Sequence, residues 1–421
     1  MELAARGRFS RLPQLAGRSF IPLGLFARLP LAMLTVGTLT LVTSVSGSFA
    51  AGGTAAGAVG IGSALGAPVL GSLADRRGQR SVLLLSAVLN TMAVLALVLA
   101  AGAAAATDDF PVAVLAAAFA AGATCPQVGP LARVRWMSLT ANAAGPAGSP
   151  GSAARDLDTA LSYESTADEV TFVLGPALVG ILASLVAPWL PLALAAAMTI
   201  TLVPAFAVHP THHAVPATRR KGGRGVRGSR KGKSAAKLPW TVALPVLAMV
   251  CMGTFFGSTQ AALSAFAAGL AGAEIAGLLY AVMGLSSAAA ALSVAYWPRA
   301  AGPGLRWVLC AVLMAALAVL LLVPASLPMM ALVLLVLGLP VGPVMVTVFA
   351  VGGTVAPAGR LGTVMTALAS GIVAGTAIGS SVGGQLAQLH GSAAAFLVPV
   401  CAAAALALLG AGAAVALRPR A

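Results

Sequence analysis

The chain has 421 residues, 59% of them hydrophobic and 8% charged, with a mean hydropathy of +0.97. A soluble protein of this size carries about a quarter of its residues as Asp, Glu, Lys and Arg, so a water-soluble enzyme or nucleic-acid-binding domain is excluded. The net charge of +15 forms no single basic face but lies between apolar runs, the pattern of an integral membrane protein.

A bilayer core about 30 Å thick needs roughly 20 apolar helical residues per crossing. Splitting the apolar runs at charges, prolines and glycine clusters predicts twelve spans: 22–48, 54–73, 81–104, 112–131, 159–186 and 189–208, then 239–263, 275–297, 305–323, 327–351, 361–386 and 392–417. All 25 Lys and Arg then fall in the termini, in loops 2–3, 4–5, 6–7, 8–9 and 10–11, or at helix ends beside them. The opposite loops carry Asp108, Asp109, Glu274 and His390 instead. This segregation predicts a multi-pass protein of the cell membrane with both termini cytoplasmic.

Residues 1–21 are basic, lack an A-x-A cleavage pattern and read as a cytoplasmic leader rather than a cleaved signal peptide. Residues 22–208 then form a first six-helix bundle, 209–238 a basic cytoplasmic linker, 239–417 a second bundle and 418–421 a cytoplasmic tail.

Between spans two and three stands GSLADRRGQR, residues 71–80, an aspartate and three arginines in ten positions. Gly71 permits close helix approach, Gly78 permits the turn, and Asp75 lies at a helix end with arginines within reach of charge-assisted bonds. The arginines at least anchor topology. The stretch resembles the cytoplasmic loop 2–3 signature of the major facilitator superfamily, G-x-L-A-D-R-x-G-R-R/K. Gly71, Leu73, Ala74, Asp75, Arg76, Gly78 and Arg80 match, and Gln79 departs from it. The resemblance implies two pseudo-symmetric bundles of six transmembrane helices, all α, around a central cavity. It also implies that the loop stabilises an outward-open state by holding the second half.

Span four carries PQVGP (126–130) and span ten PVGP (340–343), so matching helices of the two halves are expected to be interrupted near a binding region. Many proton-coupled members of the family carry an arginine three residues before a glutamine in helix four; here Thr124 precedes Gln127. That departure shifts any proton relay to helix five. Gln127, Gln260 and Tyr280 are candidate cavity-lining groups, with helix–helix hydrogen bonding as the plainer reading.

Span five contains SYESTADEV, with Glu164, Asp168 and Glu169 inside an apolar run. A bare acid near a helix centre costs about 2.5–3.5 kcal/mol, so partners are required. Glu164 and Asp168 share a helix face four residues apart, and Glu169 is rotated off it. Helical rise places Arg28 of span one about 9 Å deep, Glu164 about 7.5 Å and Asp168 about 13.5 Å. Helices one and five are neighbours in the family fold, so Arg28 is a feasible partner; Arg133 and Arg135 are rivals. Either the group is a permanent structural charge network or one of its carboxyls couples protons, with Asp168 the favoured residue. Asp156 and Asp158 read as acids at a helix start, Asp158 as a cap. GPALVG, 175–180, resembles part of the exporters' helix-five motif: Gly175, Pro176 and Gly180 match, while Ser162, Thr171 and Val179 replace expected glycines. This leans towards export.

The linker HPTHHAVPATRRKGGRGVRGSRKGKSAAK, 209–237, is expected to be flexible and to meet anionic lipid headgroups rather than nucleic acid. His209, His212 and His213 lack a nearby carboxylate or cysteine, so no metal is expected. The four cysteines lie singly in apolar runs and read as core residues, with no disulfides. The second half holds no intramembrane acid, and no nucleotide-binding loop is present, so no cofactor is expected and ATP hydrolysis is not.

The sequence therefore reads as a monomeric secondary transporter, not an enzyme, exporting a small molecule in exchange for protons. Uptake and a non-transporting sensor or assembly role are the alternatives.

Overall fold

The computed structural model describes residues 8–104, 112–143, 150–215, 240–270, 275–298 and 302–416. Most of the expected linker, and Asp108, Asp109 and Glu274, lie outside the described residues. Among those described, helix is the only regular structure, as lipid demands of a backbone that must satisfy its own hydrogen bonds.

The helices are α1 (Leu12–Ala16), α2 (Phe20–Phe26), α3 (Leu29–Ser46), α4 (Phe49–Arg77), α5 (Gln79–Ala104), α6 (Val112–Ala123), α7 (Val128–Ala143), α8 (Pro150–Leu185) and α9 (Leu190–Val208) in the first half. The second half holds α10 (Ala243–Ala268), α11 (Ile275–Ser293), α12 (Pro303–Ala318), α13 (Leu327–Val355) and α14 (Leu361–Ala416). Among the described residues, eleven stretches are long and apolar enough to cross a bilayer. The last, of 56 residues, contains Gly391 at φ +83°, ψ 175°, a conformation that ends one helix and begins another, so the crossings number twelve. The α2–α3 pair makes the first crossing and α6–α7 the fourth.

Local chemistry explains the breaks. Gly47 takes the left-handed conformation at φ +64° after α3, and the Ser48 hydroxyl caps α4 by accepting from the Ala51 N–H. Gly78, at φ +91°, is the whole turn between α4 and α5. Pro126 cannot donate to the preceding turn, and the fourth crossing is interrupted over Thr124–Gln127. The matching interruption expected in the tenth crossing does not occur: α13 runs continuously through Pro340 and Pro343. Helix five starts at Pro150 rather than near residue 159, so Asp156 and Asp158 lie within α8 and Asp158 is not its cap. Asp156 pairs with Arg11 at 3.1 Å.

Small residues set the helix contacts, as expected where lipid supplies no drive to separate apolar helices from apolar solvent. In the first half α4 and α6 touch backbone to backbone: a side chain at Gly62, Gly66 or Gly122 would strike a carbonyl of the opposite helix. The second half repeats this between α11 and α13, where Gly338 and Gly342 face Met283 and Ser287. Likewise Gly175 of α8 lies on Ala32 of α3, and the equivalent α10–α14 contact is built on Gly253, Gly257, Gly375 and Gly379. The two bundles thus share a packing plan.

The halves meet at the end bearing loops 2–3 and 10–11, here the basic end. Leu161 of α8, Ala291 of α11, Val346 of α13 and Val294 form an apolar cluster across the interface there.

Candidate functional site

The first crossing is kinked between α2 and α3, and Arg28 sits at the kink, its Nε donating to the Gly24 carbonyl at 2.9 Å. Pro30 follows in the first turn of α3. The bend turns the Arg28 guanidinium into the bundle, where the residue is 4% exposed. Its Nη2 donates to Glu164 Oε2 at 2.6 Å and its Nη1 to Asp168 Oδ1 at 2.8 Å. Arg133 of α7 donates to the other oxygen of Asp168 at 2.7 Å, and Trp136 Nε1 to the other oxygen of Glu164 at 2.8 Å. Two arginines and two carboxylates therefore balance, with three charge-assisted pairs and an indole in one buried array. Gly129 of α7 makes room for it, since a side chain there would meet Asp168 Oδ1 at 3.3 Å.

Of the two rival arginines, Arg133 joins Asp168 and Arg135 joins neither acid. Arg135 instead donates to Gln79 Oε1, the Phe206 carbonyl and Thr211 Oγ1, with its guanidinium 4.1 Å from the Phe206 ring centre.

Glu169 stands apart from the array, as its rotation on the helix requires. It faces α11 of the second half, where the Ser287 hydroxyl donates to Oε1 at 2.8 Å. Beside it Thr166 donates to the Ala288 carbonyl. Glu169 is 8% exposed, and no cation pairs with it among the described residues.

A cavity of about 50 Å³ lies between the halves, against the array. Arg28, Arg133, Asp168, Gln127, Ser63 and Thr171 give it polar faces; Leu31, Phe172, Phe349, Ile372 and Val373 line the rest. Arg133 lies 3.9 Å from the centre of the Phe349 ring, a cation–π contact that joins the first half to α13, and its Nε is buried without a hydrogen-bond partner. A water occupies about 30 Å³ in the liquid, so in this state the cavity is too small for an organic solute, which needs the halves to part.

Asp75 closes the basic end. Its Oδ1 accepts from the Gly362 N–H at 2.8 Å; its Oδ2 accepts from the Thr363 N–H at 2.7 Å and from the Thr363 hydroxyl at 2.6 Å. The carboxylate caps the positive N-terminal end of α14, across the interface. Its partners are therefore not the neighbouring arginines; Arg76, Arg77 and Arg80 are exposed. Gly71 supports the same junction, since a side chain there would strike Thr366 and the Gly362 carbonyl.

Of the other sequence candidates, Gln127 lines the cavity, its amide donating to the Cys125 carbonyl. Gln260 is exposed on α10, and Tyr280 packs edge-on against Phe256; neither lines the cavity. Gly175 packs on Ala32 beside Pro176, whereas Gly180 faces open space. His209 bonds with Ser19 and Thr211, and its carbonyl oxygen bonds the His212 ring at 2.9 Å; the His212 and His213 rings lie tilted against each other. Four residues of the site were not anticipated: Trp136, Ser287, Phe349 and Thr363. Trp136, the one aromatic residue of α7 and one turn past Arg133, was the one available signal.

Residues 21–372 match the Major Facilitator Superfamily. The human organic anion transporter MFSD10 superposes with a TM-score of 0.69 at 20% identity, over 93% of this chain and 98% of that one. A bacterial homologue of the iron transporter ferroportin, outward-facing with soaked iron, gives 0.63 at 15% identity over 94% and 98%. The E. coli fucose:proton symporter gives 0.59 at 15% over 94% and 99%. At these identities the likeness is one of fold. No curated protein sequence matches the chain.

Proposed function

The chain belongs to the major facilitator superfamily, and from that premise we propose that it exports a small amphipathic molecule in exchange for protons, by alternating access. The protein is a membrane transporter, not an enzyme; the direction, the coupling ion and the substrate class are the proposal. The observation that carries it is the pairing of a cavity-facing charge array with Glu169, a buried carboxyl held by the opposite half.

The two carboxyls divide the work. Asp168 occupies both arginines that face the cavity. Among the described residues Glu169 has the Ser287 hydroxyl as its one hydrogen-bond partner, a contact that exists while the halves are together. Protonation in place removes its charge, and parting of the halves exposes it to water. Coupling is thereby assigned to Glu169, and Asp168 becomes the group that a substrate displaces from Arg133. Guanidinium donors outnumber carboxylates on the lining, and Arg133 Nε is unpaired. A substrate with an acidic or strongly accepting group on an apolar body suits that lining. Export is favoured by the partial GPALVG motif, and the segregated Lys and Arg put both termini in the cytoplasm of a cell-membrane protein.

The test is substrate-elicited proton movement in everted vesicles, followed with a pH-sensitive dye, over organic acids, lipophilic cations, sugars and amino acids. Dissipation of the gradient by an organic acid with wild type, absent from Glu169→Gln, supports proton antiport. No response to any compound from inserted protein rejects proton coupling.

A further inference from the structure

At the basic end, away from the transport cavity, a cleft of about 300 Å³ opens between the α4–α5 turn and the 3-10 helix Pro210–Ala214 that follows α9. Arg77, Arg80 and Ser81 line one wall, and His212 and His213 the other, with Gln79 between them. No acid lines it. Arg77 and Arg80 have neither an ion pair nor a hydrogen-bond acceptor among the described residues.

Two further features make the cleft positive. Helix α5 begins at Gln79, which with Arg80 and Ser81 lines the cleft, and its first turn holds no acidic residue, so the positive end of a 26-residue helix adds to the charge there. Behind Gln79 stands Arg135, fully buried, without a carboxylate partner and with its Nη2 unbonded. Its bonds to Gln79 Oε1 and Thr211 Oγ1 tie the two walls together, so the site is braced and not merely a patch of surface arginines.

We propose that this cleft binds a phosphoryl group. Forked guanidiniums and helix N–H groups match its oxygens, and the space holds more than one phosphate ion. The expected carrier is an anionic phospholipid, because α5 runs on from the cleft with Leu85, Val88, Leu89, Met92 and Leu95 exposed, a face that acyl chains cover. A soluble phosphomonoester is the other source of the same chemistry. The site is independent of the coupling ion and the direction of transport.

The experiment uses the full chain in neutral detergent, with phosphatidylglycerol, phosphatidylcholine and glycerol 1-phosphate as probes, read by native mass spectrometry and thermal melting. Phosphatidylglycerol is expected to stay bound and raise the melting temperature, and phosphatidylcholine, whose quaternary ammonium the cluster repels, is not. The Arg77→Gln, His213→Gln double variant, both positions exposed, is expected to lose at least about tenfold in affinity. Arg80→Lys is expected to keep the binding that Arg80→Gln loses. Binding of glycerol 1-phosphate alone, lost in the same variants, supports the site with a soluble ligand. Equal binding of both lipids overturns it. So does lipid binding that survives these variants but is lost when the basic residues of 219–233 are neutralised.

Discussion

Glu169 and Ser287 join the two halves of the bundle through one hydrogen bond of 2.8 Å, on a carboxyl with no paired cation among the described residues. If that carboxyl carries the coupled proton, Glu169→Gln mimics its protonated form. Substrate-driven proton movement is then expected to vanish while substrate counterflow, which needs no net proton transfer, persists. Asp168→Asn removes the ionic partner of Arg133, leaves Arg28 with Glu164 alone, and is expected to weaken both proton movement and counterflow. Dye and counterflow assays on the two variants side by side separate the roles; proton movement that survives Glu169→Gln sinks the assignment.

Arg28 supports an energetic test of the array. Removing one partner of a buried pair leaves an uncompensated charge, and Arg28→Met is expected to cost about 3–5 kcal/mol in stability. Replacing its partner as well, in Arg28→Met with Glu164→Leu, is expected to recover part of that loss, because Asp168 still has Arg133. Melting of the two single variants and the double variant in detergent gives the coupling. A double variant no better than the sum of the singles rejects a shared network. Full stability with transport abolished places the array in function rather than in folding.

How far the array was legible follows from the price of charge in lipid. In a chain with 8% charged residues, Glu164 and Asp168 in an apolar run required cations, and helical rise pointed to Arg28. Ser287 gave no such signal, because serines in alanine-rich helices bond their own backbone, as Ser286 does with the Met283 carbonyl. Phe349 was indistinguishable from any apolar residue until α13 was set against Arg133. The start of helix five was placed too late because hydropathy sees only the part of a helix inside the bilayer, and α8 continues to Pro150. The proline motif misled for a related reason. Neighbouring backbone and side chains accommodate prolines in buried helices, and α13 absorbs two where the fourth crossing breaks at one.

Asp75 controls the basic end through three bonds to the start of α14. Asp75→Asn keeps the size but removes the charge and leaves an amide facing two N–H donors. The closed population is expected to fall by about tenfold or more, the worth of one hydrogen bond to a charged group. Gly362→Val attacks the same contact sterically, since its side chain would meet Asp75 Oδ1 at 2.5 Å. Spin labels on loops 2–3 and 10–11 report the distance; the expected result is a longer component in both variants. Unchanged distributions assign the loop to topology alone.

The segment before the first crossing makes a second closure of the same end. Leu12, Ala16 and Phe20 are buried in the first half, and Arg11 pairs with Asp156 of α8. From this anchor Arg8 reaches the second half: it donates to the Ala295 carbonyl and lies 5.2 Å from the centre of the Tyr296 ring, with Phe9 6.1 Å from the same ring. Ala295 and Tyr296 belong to the 3-10 turn that ends the eighth crossing, so the strap must release as the halves part. An exposed cation–π contact contributes about 0.5–1 kcal/mol and an aromatic pair about as much. The Arg8→Ala, Phe9→Ala variant is therefore expected to raise the open fraction about tenfold, while leaving the melting of the first half intact because Leu12 and Phe20 remain. Labels on the α1 segment and beside Tyr296 measure the release directly. If Asp75→Asn opens the basic end and the strap variant does not, the first-half anchor holds the segment in place and the contact with Tyr296 follows the closure without contributing to it.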